Sequence, residues 1–147
     1  MQLSTRFIAA SETQSLRHRV LWPHLPSCDA CVIDIDNRED AFHVGVFSEE
    51  TLISVGSFFQ LSSPRLHYST QYRLRAMATD SDYRRLHAGE LLLSFACHEL
   101  HKRGVPVIWC DARLVAVPFY ESNGFSKFSD LYEVPLIGPH HFMWKEL

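Results

Sequence analysis

Short apolar runs in the first half of the chain are typical of β-strands. They cover 6–10, 41–47, 52–59 and 71–79, and the four residues between the second and third suit a short hairpin. The last run alternates between the two faces of a strand. One face carries Leu74, Ala76 and Ala78, and the other carries Arg73, Arg75 and Met77. We therefore predict four strands, of which the second and third form a hairpin.

The second half of the chain has apolar residues at helical spacing. From Ala88 onward they recur at Leu91, Leu92, Phe95, Ala96 and Leu100. This spacing predicts an amphipathic helix, for which Gly104 is a suitable C-cap. A second helix is predicted over 113–122, where Pro118 is tolerated only near the first turn. A shorter helix is predicted between Ser11 and Pro23.

Three further strands complete the expected order of elements. The run 105–110 is apolar enough to be buried on both faces, and 125–134 and 141–145 follow the second helix. The segments 29–40 and 61–69 are interpreted as exposed loops. Strands followed by a strand–helix–strand–helix–strand series predict an α/β fold with a mixed central sheet.

The composition is that of one ordinary globular domain, with 147 residues and a mass of 17.0 kDa. The net charge is −3, so no global basic field attracts nucleic acid or an anionic membrane. The longest apolar run, 114–120, is much shorter than a membrane span, and residues 1–10 do not form a secretory signal. We expect a single cytoplasmic domain over residues 1–147, with no nucleic-acid or membrane partner.

Cysteine and histidine spacings give little indication of a metal site. Cys28 and Cys31 form a CxxC pair, but no second ligand pair follows at comparable spacing, and Cys97 and Cys110 stand alone. The nine histidines are dispersed along the chain. We expect reduced, chemically neutral thiols and no metal.

The junction between the fourth predicted strand and the long helix is the first candidate site. It spans 79–89, and a loop that enters a helix exposes backbone N–H groups at the positive end of the helix dipole. Arg84 and Arg85 lie beside these groups. The stretch suits a pyrophosphate-sized anion, although two solvated arginines would give the same pattern.

A second stretch, 113–125, follows one strand later and reads RLVAVPFYESNGF. Together the two stretches resemble the GCN5-related N-acetyltransferase (GNAT) superfamily, which carries Arg/Gln-x-x-Gly-x-Gly/Ala and then Asn-x-x-Ala-x-x-x-Tyr with Gly-Phe. The matching residues here are Arg84-Arg-Leu-His-Ala-Gly89, followed by Arg113, Ala116, Tyr120, Gly124 and Phe125. The strand 74–79 resembles the family's central strand, and 138–145 resembles the closing strand of a bacterial subgroup.

The resemblance implies a largely antiparallel sheet, flanked by helices, in which one pair of parallel strands splays apart. It also implies acetyl-coenzyme A as co-substrate and no metal. The pantetheine arm would pair with the backbone of Met77, Ala78 and Thr79. The pyrophosphate would bind the loop and helix start formed by Arg84, Arg85, Leu86, His87, Ala88, Gly89 and Glu90. Arg113 and Tyr120 would complete the cofactor site.

The implied reaction is direct attack by a primary amine of a small molecule or peptide in a ternary complex. Tyr120 would protonate the departing thiolate, and the backbone N–H of Ala78 would stabilise the oxyanion. His43, Glu49, Glu133 and ordered water are all conceivable as the general base. Homodimerisation through the C-terminal strands is an open alternative to a monomer.

Two residues depart from the family pattern. His87 stands in place of the first motif glycine, which permits close approach and positive φ, and Arg113 stands in place of an asparagine. The imidazole could either crowd the pyrophosphate or hydrogen-bond it. The alternative function is therefore a catalytically weak GNAT-fold domain that binds coenzyme A as a regulatory ligand. Arg73 and Arg75 would suit an acceptor with a carboxylate, or a solvated strand face.

Overall fold

The computed structural model describes residues 2–128, 131–135 and 137–147. The strands are β1 (Leu3–Ile8), β2 (Phe42–Ser48), β3 (Thr51–Gln60), β4 (Tyr72–Thr79), β5 (Val107–Arg113), β6 (Ser126–Lys127), β7 (Tyr132–Val134) and β8 (Gly138–Glu146). The helices are α1 (Gln14–Leu16), α2 (Ala88–Lys102) and α3 (Val117–Ser122). A 3-10 turn (Ala10–Thr13) and a π turn (Arg17–Leu21) extend α1 into an N-terminal helical segment, and a 3-10 turn (Leu114–Ala116) precedes α3.

All the strands belong to one sheet, in the order β1-β2-β3-β4-β5-β8-β6, with β7 also paired to β8. Every neighbouring pair is antiparallel except β4 and β5, which are parallel. The predicted mixed, largely antiparallel sheet with flanking helices is therefore confirmed. None of the described helices has both the length and the apolar character that a membrane crossing requires.

The parallel pair β4–β5 separates soon after it begins. Only Tyr72↔Ile108 and Arg73↔Trp109 are paired, so the rest of β4 has no ladder partner on that side in the described structure. On its other side, β4 has a β-bulge, because Ala76 has a φ of 55° and the register to β3 shifts there. The splayed pair that the resemblance implied is present, and the bulge lies within it.

The bulge overturns the predicted alternation of strand β4. Leu74 lies in the large core beneath α2, whereas Ala78 lies in a smaller core with Leu16 and Val55. Met77, predicted on the opposite face from Leu74, packs against the large core. One extra residue in a strand reverses which face every later side chain occupies, so the two-residue period fails after Arg75.

Several predicted boundaries also shift. The predicted strand 125–134 is two short strands, β6 and β7, and Ser129 and Asp130 between them lie outside the described residues. Strand β5 extends through Arg113, which therefore ends a strand rather than beginning a helix. Helix α2 matches its predicted span, and Pro118 lies in the first turn of α3, as expected.

A buried ion pair joins the N-terminal helical segment to the loop before β2. The guanidinium of Arg17 donates to both carboxylate oxygens of Asp36 at 2.8 Å, to the carbonyl of Cys31 at 3.0 Å and to Ser57 Oγ at 2.8 Å. His43 contacts Ser57 and the backbone carbonyl of Asp36. These contacts fix the segment against the sheet, because the Arg17 side chain is fully buried.

Burial by itself raises the pKa of Asp36, but hydrogen bonds from Arg17 and from the Ile33 backbone N–H outweigh it, so this pKa lies below its usual range. We expect Asp36→Ala to lower the free energy of unfolding by about 3–5 kcal/mol, since it leaves a buried guanidinium unpaired. Urea denaturation measures this loss. Because the pKa is lower in the folded state, the stabilisation should be complete above about pH 4 and lost as the pH falls further.

The matched control for Asp36→Ala is Arg19→Ala, which breaks the ion pair between Arg19 and Asp80. Arg19 is 56% exposed, so this change should cost less than about 1 kcal/mol. Equal losses in the two variants would contradict a dominant role for the buried pair.

Candidate active site

A cavity of about 650 Å³ opens where β4 and β5 separate. Its walls come from the end of β4, the start of α2, the helix α3 and the N-terminal helical segment. The lining includes Met77, Ala78, Thr79, Arg84, Arg85, His87, Ala88, Gly89, Glu90, Arg113 and Tyr120. The structure therefore brings together all the predicted cofactor residues except Leu86, which is half-buried and does not line this cavity.

The start of α2 supplies the polar end of this first cavity. The Leu91 N–H bonds the His87 carbonyl at 3.0 Å, so the N–H groups of Ala88, Gly89 and Glu90 precede the first intrahelical bond. Arg84 and Arg85 are exposed beside them and form no ion pair with any described carboxylate. Free N–H groups, a helix dipole and two cations together favour an anion here.

The packing of α2 against its neighbours requires Gly89. A Cβ at this position would lie 2.9 Å from Phe119 Cζ and 3.2 Å from Met77 Cε, closer than ordinary contact. Glycine thus keeps the helix start close to β4 and α3 without filling the cavity. The first cavity accordingly combines backbone N–H donors with positive charge, which suits an anionic group.

His87 has the backbone conformation that the motif glycine would provide. Its φ is 63° and its ψ is 24°, in the left-handed region that side chains other than glycine rarely adopt. The imidazole is 79% exposed and its Nδ1 lies 3.2 Å from Glu90 Oε2. His87 lines the cavity, but its imidazole is largely in solvent, so the departure from the motif strains the backbone and leaves most of the side chain at the cavity's open side.

Tyr120 lies on α3 with its ring between Phe119 and Phe125, in edge-to-face contacts. Its hydroxyl donates to Met77 Sδ at 3.8 Å, and a thioether is a weak acceptor. Burial, with a smaller contribution from Cys110, raises the pKa of Tyr120 well above its ordinary value. The phenol therefore stays protonated at neutral pH, with its proton available to a better acceptor.

A second cavity, of about 290 Å³, meets the first. The two share Leu21, Met77, Arg113, Ala116 and Tyr120. The second cavity also has lining residues from the other sheet face, among them Arg73, Arg75 and Asp111 of β4 and β5. The separation of the strands is thus a slot with a cavity on each side, and Tyr120 belongs to the walls of both.

A polar network that the sequence did not predict lines the second cavity. Arg73 donates to Asp111 Oδ2 at 2.9 Å and lies over the Trp109 ring, and Tyr132 donates its hydroxyl to Asp111 Oδ1. Burial and Asp111 raise the pKa of Tyr132. His140 is buried with Nδ1 2.8 Å from the Gly138 carbonyl, so Nδ1 is the ring nitrogen that donates to this carbonyl.

The named base candidates lie outside both cavities. His43 belongs to the Arg17–Asp36 network, and Glu49 and Glu133 are exposed, in the turn after β2 and on β7. Asp111 and His140 were missed because the register between β5 and β8 places them. The one signal in the sequence was the alternation of Trp109, Asp111 and Arg113 on a strand.

The cysteines take no part in either cavity apart from Cys110, which lines the second. All four are free thiols, and burial raises the pKa of Cys110. Among the described residues, no group of three or more His, Cys, Asp or Glu side chains is arranged to hold a metal ion.

The sequence model of the acetyltransferase (GNAT) family matches residues 8–125. A Bacillus subtilis (strain 168) protein described as the uncharacterized N-acetyltransferase YitI is 39% identical over 145 residues, 99% of this chain and 97% of that one. Escherichia coli ElaA superposes with a TM-score of 0.75 at 20% identity, covering 99% of this chain and 100% of the other. The PaiA N-acetyltransferase of Thermoplasma acidophilum, solved with coenzyme A, gives 0.67 at 16% identity and covers 100% of both.

The chain therefore belongs to the acetyltransferase (GNAT) family. The class of enzyme that the sequence predicted, an N-acetyltransferase, is confirmed, and so is the acyl-CoA N-acyltransferase fold.

The strained backbone at His87 gives a stability prediction. We expect His87→Gly to be more stable than His87→Ala by about 1 kcal/mol in urea denaturation, because both lose the imidazole and only glycine relieves the positive φ. Both variants should bind acetyl-coenzyme A within about threefold of the wild type, since the imidazole is largely exposed to solvent. A large loss of affinity shared by both variants would instead show that the imidazole contacts the cofactor.

Proposed function

We propose that the chain transfers the acetyl group of acetyl-coenzyme A to a primary amine of a small molecule or peptide, in one ternary complex. The observation that carries this proposal is the meeting of two cavities at Tyr120. Two reactants can enter from opposite sides of the slot and reach the same hydroxyl. Holding them there supplies much of the acceleration, since the reacting atoms no longer have to find each other by diffusion.

The first cavity is the proposed cofactor side. Beyond Arg73, the β5-facing edge of β4 has no strand partner in the described structure, so the backbone groups that face β5 there, including those of Thr79, can bind an extended amide-containing chain. The start of α2, with Arg84 and Arg85, would hold the pyrophosphate. When bound, acetyl-coenzyme A supplies an acetyl thioester, which an amine can attack.

Groups of the chain itself would stabilise the developing negative charge and transfer the protons of the reaction. A backbone N–H on the β5-facing edge of β4 would donate a hydrogen bond to the acetyl carbonyl oxygen as negative charge develops on it. The N–H of Ala78 itself faces β3, because Asp80 N–H bonds the Ile53 carbonyl and residues two apart on a strand face the same side. Tyr120 would donate its proton to the departing sulfur, and its raised pKa keeps that proton in place until then. On the second side, Nε2 of His140 would accept the proton released by the amine, directly or through water, since Nδ1 is engaged with the Gly138 carbonyl.

The alternative, a coenzyme-A-binding domain without catalysis, would be favoured if His87 obstructed the cofactor side. Its imidazole is largely exposed instead. Ring packing between Phe119 and Phe125 would need only a phenylalanine, so the Tyr120 hydroxyl beside both cavities favours catalysis.

Tyr120→Phe tests the proposal, because it removes the hydroxyl and keeps the ring that packs between Phe119 and Phe125. We expect the turnover number to fall by about 10²–10⁴-fold and the affinity for acetyl-coenzyme A to stay unchanged. Thiol release with a panel of primary amines measures the first, and titration calorimetry measures the second.

Tyr83→Phe is the matched control, because Tyr83 also lines the first cavity but not the second. It should keep its turnover. An unchanged turnover number in Tyr120→Phe would contradict the proposal that Tyr120 protonates the departing thiolate. If the wild type binds acetyl-coenzyme A but releases no thiol with any amine in the panel, the alternative of a coenzyme-A-binding domain without catalysis is favoured.

A further inference from the structure

The second cavity contains more positive charge than its one carboxylate can neutralise. Arg73, Arg75 and Arg113 line it, and Asp111 is the one Asp or Glu among its described lining residues. Both oxygens of Asp111 are already engaged, Oδ2 by Arg73 and Oδ1 by Tyr132. Asp111 therefore compensates Arg73 and leaves the other two guanidinium groups without an internal counter-ion.

Neither Arg75 nor Arg113 forms an ion pair within residues 2–128, 131–135 and 137–147. Arg75 is exposed at the wall of the cavity, and partial desolvation lowers its pKa, as do the charges of Arg73 and Arg17, whereas Asp34 and Asp36 have opposing effects. The positive charges of Arg73 and Arg17 therefore act on Arg75. An anion would remove this repulsion and would form charge-assisted hydrogen bonds with the guanidinium.

The positions of the two arginines indicate where the anion would lie. Arg75 is on β4 just before the bulge and lines the second cavity but not the first. Arg113 ends β5 and lines both, so it lies near the junction at Tyr120. An anionic group held between them would lie close to the reacting amine.

The rest of the second cavity is small and largely apolar. Its volume of about 290 Å³ is near the lower end of small-molecule sites, which span roughly 300–1,000 Å³. Apolar and aromatic side chains form much of the wall, among them Leu21, Trp22, Tyr132, Val134 and Ile137. These features fit a compact molecule with an apolar body and one anionic end.

We propose that the acceptor is a small amino acid-like molecule, whose carboxylate binds Arg75 and Arg113 while its neighbouring amine faces Tyr120. This inference rests on the proposed function and narrows its acceptor. A peptide whose N-terminal residue enters the cavity has an amide in place of that carboxylate, so it would lack the group that the two arginines recognise.

Matched pairs of amines test the proposal. Thiol release is measured with L-methionine against L-methioninamide, and with L-phenylalanine against L-phenylalaninamide, at one pH. The amide loses its ammonium proton more readily, so intrinsic reactivity favours the amide. We expect kcat/KM to favour the carboxylate by about tenfold or more.

Variants identify the arginine that is responsible. Arg75→Gln should lower kcat/KM for the two amino acids about tenfold, leave the amides within about threefold and leave acetyl-coenzyme A affinity unchanged. Arg75→Lys should restore part of the preference. Arg38→Gln, which alters an exposed arginine outside both cavities, is the control. It should change neither kcat/KM for the amino acids nor the affinity for acetyl-coenzyme A. A loss of acetyl-coenzyme A affinity in Arg113→Gln would assign Arg113 to the cofactor instead.

Equal or better rates with the amides would overturn this acceptor and leave the proposed acetyl transfer intact. If no amine supports thiol release, calorimetry with N-acetyl-L-methionine and its amide decides the question without turnover. Tighter binding of N-acetyl-L-methionine than of its amide supports the anion site if Arg75→Gln abolishes this preference. Equal binding of the two ligands to the wild type overturns it. Failure to bind acetyl-coenzyme A at all is the separate result that refutes the proposed function.

Discussion

The site depends on one constraint, the separation of β4 from its parallel neighbour β5. The strands share only Tyr72↔Ile108 and Arg73↔Trp109 before they part. Backbone N–H and C=O groups require partners, so an unpaired edge inside a sheet persists where a cavity opens onto it. Here two cavities open onto it, and the bulge at Ala76 sends Met77 toward the first, against the hydroxyl of Tyr120. The same departure from regular pairing thus creates both binding spaces and their junction.

The charge around this slot is positive, whereas the net charge of the whole molecule is negative. The chain has a net charge of −3, yet the first cavity has Arg84 and Arg85 at a helix N-terminus, and the second has Arg75 and Arg113. Exposed charges are screened over about 8–10 Å in physiological salt, so an anion that enters the slot experiences these groups more than the distant acidic surface. Two anionic reactants on opposite sides of Tyr120 are consistent with this distribution.

The features that sequence predicts well here are those that local spacing determines. The apolar period and the C-cap at Gly104 predict α2, and the motif at 84–90 predicts most of the first cavity's polar wall. The bulge at Ala76 escapes such reasoning, because the alternation of small and long side chains along β4 is compatible with a regular strand. Its position depends on pairing with β3. Asp111 and His140 were missed for a similar reason. They reach the second cavity through the pairing register of β5 and β8, two strands that are neighbours in the sheet but far apart in the sequence.

Titration calorimetry with acetyl-coenzyme A measures most directly whether the first cavity is a cofactor site. The wild type and Ser94→Leu, an exposed change on the same helix, should bind saturably at one site in the micromolar range typical of enzyme substrates. Gly89→Leu should bind at least about tenfold more weakly, because its side chain would occupy the space beside Phe119 and Met77. Absence of binding to the wild type at millimolar cofactor, or unchanged affinity in Gly89→Leu, would contradict this assignment of the cavity.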